Sequence, residues 1–135
     1  MSGIAFTSLE WAVLRAICEN YPDDLTALES QLLTASVRKR ENTGKGFFTR
    51  ISIERDPRIA VHARASAKDG PKARDMRNGP SARLDALRYG MGFILWLENG
   101  FADCLEGYCY GPDSTTWLDL AALDFEILGE LPRSK

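Results

Sequence analysis

Histidine is almost missing from this chain: His62 is the only one. That excludes a metal centre built on several imidazoles, and any mechanism that needs two of them. The alternation around His62 groups it with Arg64 on the more polar side of its segment, so it reads as a surface or edge residue. Cysteine is scarce as well. Cys18, Cys104 and Cys109 contain no C-x-x-C spacing and no second pair, which leaves no zinc motif and no metal or cofactor to predict. An odd number of cysteines suits reduced thiols in the cytoplasm. No apolar run approaches the ~20 residues of a membrane span. The opening Met1-Ser2-Gly3-Ile4-Ala5-Phe6 lacks the basic stretch and apolar core of a signal peptide. A cytoplasmic protein that does not enter membranes is therefore expected.

What is present is an ordinary globular composition, with 44% hydrophobic and 27% charged residues. The length suits one domain, residues 1–135. Charge is unevenly spread. Between Arg55 and Arg88 cations outnumber anions, whereas from Tyr89 onward acids dominate, Glu98, Asp103, Glu106, Asp113 and Asp119 among them. Such asymmetry marks a binding face, or two halves that neutralise each other in the fold.

Local signals predict the elements. Thr7-Ser8-Leu9-Glu10 is a capping box opening a helix to about Asn20, with Leu9, Ala12, Val13, Ala16 and Ile17 as its apolar stripe. Tyr21-Pro22 stops it. Asp23 and Asp24 start a second helix carrying Leu25, Leu28, Leu32 and Ala35. Val37–Glu41 reads as a strand and Asn42–Gly46 as a turn. Phe47, Thr49, Ile51 and Ile53 then alternate with a wetter set, Phe48, Arg50, Ser52 and Glu54. Ile59–Ser66 alternates again. A mobile loop is expected over about residues 67–81, with Gly70-Pro71 and Gly79-Pro80. Ala82–Tyr89 fits a short helix or a strand equally. Phe93–Glu98 and Phe101–Glu106 flank Asn99-Gly100, the signature of a two-residue hairpin. The first of these strands is almost continuously apolar, which predicts burial on both faces. Leu123, Phe125 and Ile127 make a last strand. The sum is an α+β fold: an N-terminal helical hairpin packed on a mostly antiparallel sheet of five or six strands.

Two blocks carry a resemblance. Arg40-Glu41-Asn42-Thr43-Gly44-Lys45-Gly46-Phe47-Phe48-Thr49 is similar to an R-E-x-T-G-x-G-F-(F/Y)-T block. Gly90-Met91-Gly92-Phe93-Ile94-Leu95, then Asn99-Gly100, then Leu105-Glu106-Gly107-Tyr108-Cys109-Tyr110, is similar to a G-x-G-F-x-L…N-G…L-E-G-Y-x-Y block. Both resemble blocks of a family of small uncharacterised bacterial proteins, a domain of unknown function. The Ala- and Arg-rich stretch between the blocks departs from that pattern. What the resemblance implies is a compact α+β domain, with no catalytic residue to carry over.

Candidate site residues come from the second block. Counting back from a two-residue turn puts Glu106 opposite Phe93 and Cys104 opposite Leu95, on an apolar face where a carboxylate needs a partner. Glu106 is then either an acid at a binding site beside Tyr108 and Tyr110, or a structural ion-pair member; a β-bulge at Gly107 undoes the assignment. Gly44-Lys45-Gly46 lies between strands, not between a strand and a helix, so a hairpin turn suffices to explain it. Trp96, Phe101, Tyr108, Tyr110 and Trp117 sit late in the chain among acids. They suggest a non-enzymatic protein-binding module, immunity- or regulator-like, that uses Trp96, Asp103, Glu106, Tyr108, Tyr110 and Trp117 on an acidic, aromatic face, as monomer or homodimer. The alternative is a small-molecule binder or small enzyme centred on Glu106. Nucleic-acid binding through residues 55–88 is disfavoured, because that stretch offers no aromatic for stacking and the chain is acidic overall.

Overall fold

The computed structural model describes residues 4–61 and 74–128. Helices α1 (Ser8–Asn20) and α2 (Leu25–Leu33) precede strands β1 (Ser36–Asn42) and β2 (Gly46–Ser52), and a short 3-10 turn covers Pro57–Ile59. Strands β3 (Arg74–Leu84), β4 (Met91–Glu98), β5 (Phe101–Cys109) and β6 (Phe125–Ile127) come next. The six strands form one sheet in the order β1-β2-β5-β4-β3-β6, and each neighbouring pair is antiparallel. The architecture is α+β, with the two helices against the sheet.

The capping box is real: the Glu10 amide donates to Thr7 Oγ1, and the Thr7 amide donates back to Glu10 Oε1 at 2.8 Å. The stripe of α1 is turned slightly from the expected one, so that Leu14 and Cys18 are buried with Leu9, Val13 and Ile17. Glu10 is buried too. Its carboxylate receives Arg40 through Nε and Nη2 and the Thr49 hydroxyl, which ties α1 to β1 and β2. In α2, Gln31 is fully buried. Its amide donates to the carbonyls of Ile59 and Gly100 and accepts from the Ala102 amide, so one side chain clamps the 3-10 turn and the β4–β5 turn. Leu28, Leu32, Phe47, Ile51, Phe93, Leu95, Leu97 and Leu105 complete the core between helices and sheet. The Asn99-Gly100 turn has positive φ at both residues, 53° and 88°, as a type I′ hairpin requires.

Several expectations change. The loop over 67–81 is wrong for its second half: Arg74–Leu84 is a strand, and 67–73 lie outside the described residues. Its polar sequence is accommodated because Arg77 is buried against Asp24 and Asp75. A register shift between Asn78 and Ser81 absorbs Gly79-Pro80. Of the alternating run Ile59–Ser66, Ile59 closes the 3-10 turn and Ala60 and Val61 are not in a strand, while the part from His62 onward lies outside the described residues. Ala82 and Leu84 end β3, which resolves that segment as strand before a turn. Strand β4 is not covered on both faces. Phe93, Leu95 and Leu97 are buried, whereas Ile94 and Trp96 on the other face are only half-buried.

Candidate functional site

The sheet has a second face, turned away from α1 and α2, and register decides what it displays. Trp96 pairs with Cys104, but Leu97 pairs with Ala102, so Asp103 is an extra residue in β5. A one-residue bulge transfers every side chain beyond it to the opposite face. Glu106 therefore lies opposite Ile94, not Phe93, and Cys104 opposite Trp96, not Leu95. On its other side Glu106 pairs with Phe48 of β2. The predicted face of Glu106 is thus corrected: it stands on the half-buried outer face, between Ile94 and Phe48.

Around it the face is built from rings and arginines. The Trp96 indole N–H donates to Glu106 Oε1 at 3.0 Å. The Arg74 guanidinium lies 5.1 Å from the centre of the Trp96 ring, and that of Arg50 lies 5.5 Å from the Phe48 ring. Met76, cross-strand from Trp96, is 40% exposed. Asp103, projecting from the bulge, pairs with Arg55 at 3.6 Å and Arg74 at 4.0 Å. Arg55 also reaches Glu98 at 2.9 Å and lies over the Phe101 ring. At the other end of the face Tyr108 and Tyr110 meet edge to face at 5.8 Å, and the Tyr110 hydroxyl shares a 2.7 Å hydrogen bond with Ser81. They close over Gly92, where a Cβ would come within 2.6 Å of both phenol oxygens. Burial, and then Tyr110 and the Glu106 carboxylate, push the Tyr108 phenol up.

The structure therefore brings Trp96, Asp103, Glu106, Tyr108 and Tyr110 onto or beside one face. Trp117 is not among them: it is 94% exposed in the loop between β5 and β6. Phe48, Arg50, Arg74 and Met76 belong to the face without standing out in the sequence as site residues. The alternation of β2 does place Phe48 and Arg50 on its wetter side, which is the available signal. The face is not acidic either, because Arg50, Arg55 and Arg74 are interleaved with its carboxylates.

The other candidates resolve into structure. Arg55, Arg58, Arg74, Arg77 and Arg83 of the basic stretch each pair with a carboxylate, three of them with an acid from the later half. In the Asn42–Gly46 turn the amides a phosphate would need are already used. Gly44 N–H donates to Asn42 Oδ1, Lys45 N–H to Thr43 Oγ1 and Gly46 N–H to Thr115 Oγ1. Thr115 comes shortly after the second sequence block, so this turn is where the two blocks meet. Burial, reinforced by Glu29 and Glu19, raises the Cys18 thiol to about 11. Burial also raises Cys104 to about 11, against the opposing pull of Arg50. Cys109 is pushed up by burial. Thiols held this high are poor nucleophiles at neutral pH. Among the described residues no three His, Cys, Asp or Glu side chains gather as a metal site, and no helix is long and apolar enough to cross a membrane.

No family model, no curated protein and no solved structure matches this chain.

Proposed function

We propose that the chain is a cytoplasmic, non-enzymatic protein-binding module, of the immunity or regulator kind, that works through the sheet face turned away from α1 and α2. The observation that carries this reading is the laying of Arg74 over Trp96 and Arg50 over Phe48 beside the exposed Met76. Tryptophan, tyrosine, methionine and arginine are the residues enriched in recognition surfaces, and they dominate binding energy there. The rings are also held before any partner arrives: Trp96 by Glu106, and Tyr110 by Ser81. Rings fixed in advance lose less rotamer freedom on association. The carboxylates and arginines of the face are interleaved, which suits a partner of mixed charge better than a uniformly basic one.

The test is capture of partners from nuclease-treated lysate of the native cell, comparing the wild-type chain with Trp96→Ala, Arg74→Ala and Trp117→Ala. A partner retained by Trp117→Ala and lost by the other two, with thermal unfolding unchanged, supports the sheet face. Loss on Trp117→Ala alone would move the surface to the loop around residue 117.

A further inference from the structure

Building on that reading of the face, we infer that the partner presents a basic side chain, lysine or arginine, whose cation is received by Glu106. The reason is an imbalance within an otherwise balanced surface. Glu41 is paired with Lys39 and Arg50, Glu98 with Arg55, and Asp103 with Arg55 and Arg74. Glu106 has no ion pair among the described residues. Its carboxylate holds one hydrogen bond, from the Trp96 indole, against the four or so that its two oxygens can accept.

That carboxylate is half-buried and framed by apolar groups. Phe48 and Ile94 are its cross-strand neighbours, and Tyr108 lies two residues along its own strand. A charge so placed has lost part of its hydration without gaining a counter-charge, and a cation arriving from a partner supplies it. An incoming anion finds the opposite situation, because Arg50 and Arg74 are already engaged with Glu41 and Asp103. The site thus distinguishes cationic from neutral side chains through one residue.

The experiment tracks the Trp96 indole N–H resonance of the full chain, assigned with Trp96→Phe. The titrants are three blocked tripeptides with glycine on either side of lysine, arginine or norleucine. Saturable shifts with the lysine or arginine peptide, and binding about tenfold weaker for norleucine, are expected. Glu106→Gln keeps an oxygen for the indole and should unfold at the wild-type temperature, yet lose about tenfold in affinity for the basic peptides. Equal response to all three peptides, no saturable shift with any of them, or unchanged binding in Glu106→Gln overturns the inference. If the peptides fail while Trp96→Ala still loses a captured partner, the face stands and the cationic anchor falls. If Trp96→Ala captures as well as wild type, both fall.

Discussion

Asn42 and Thr115 exchange two hydrogen bonds across 73 positions of sequence. The Asn42 amide donates to the Thr115 carbonyl at 2.8 Å, and the Thr115 hydroxyl lies 2.7 Å from Asn42 Oδ1. The same hydroxyl accepts the Gly46 amide at 3.1 Å. Thr115 is fully buried, and removing its oxygen strands the buried backbone groups of Gly46 that it bonds, which have no water to turn to. Thr115→Val should therefore destabilise the protein by about 1–3 kcal/mol. Chemical denaturation checks this, and a double-mutant cycle with Asn42→Ala should show strong non-additivity. Additive losses would mean that the two side chains do not act as one latch.

The Arg40–Glu10 pair joins β1 to α1, with the Glu10 side chain 1% exposed and that of Arg40 17%. Arg40→Ala leaves the buried carboxylate with only the Thr7 amide and the Thr49 hydroxyl. A loss of about 3–5 kcal/mol is expected, since breaking a buried pair costs far more than an exposed one. Lys39→Ala, which breaks the exposed pair with Glu41, should cost under about 1 kcal/mol. Urea midpoints for the two variants give the comparison directly.

Two glycines test the backbone geometry. Gly46 has φ +148°, and a Cβ there would fall on the carbonyl group of Gly107 in the neighbouring strand. Gly92 has ordinary φ, and the atoms nearest a Cβ there are the tips of the Tyr108 and Tyr110 side chains. Gly46→Ala should therefore prevent β2 from pairing with β5, and the variant should be recovered largely unfolded. Gly92→Ala should fold, at a cost of about 1–3 kcal/mol, with the Tyr108–Tyr110 edge contact disturbed. Circular dichroism in the far and near ultraviolet separates these outcomes.

The raised thiols give stability a pH signature. Cys18 and Cys104 move from 9.0 to about 11 in the folded state, so folded protein holds these protons more tightly than unfolded chain. Their contribution is fully present below about pH 9 and is lost as pH rises towards 11. The unfolding temperature should therefore decline across that window. Cys18→Ala should lower the starting stability but flatten the decline. A decline as steep in Cys18→Ala as in wild type would assign the effect to other groups.

Much of this fold is legible in sequence where the determinant is local. The Thr7–Glu10 box, the Asn99-Gly100 turn and the alternation from Phe47 to Ile51 each specify a conformation within a few residues, and each appears where expected. The failures have a different cause. Arg74 to Pro80 is polar and broken by Gly79-Pro80, and becomes a strand only because Leu95 and Trp96 pair with it and Asp24 neutralises Arg77. Alternation alone puts Glu106 on the wrong side of its strand, because a single extra residue, Asp103, reverses facing without leaving a mark in the pattern. The candidate site is thus legible through its aromatic residues, while its orientation depends on a bulge that composition does not reveal.

The strand order has a kinetic consequence. β1 pairs with β2, and β3, β4 and β5 pair in succession, through contacts close in sequence, whereas the seam between β2 and β5 joins Gly46 to Tyr108 and Phe47 to Gly107. Closing that seam must meet the entropy of a long intervening chain before its hydrogen bonds form. The two halves of the sheet should therefore assemble first and dock afterwards. Thr115, which bonds across the seam, should then act as a bolt thrown last, slowing unfolding far more than it speeds folding.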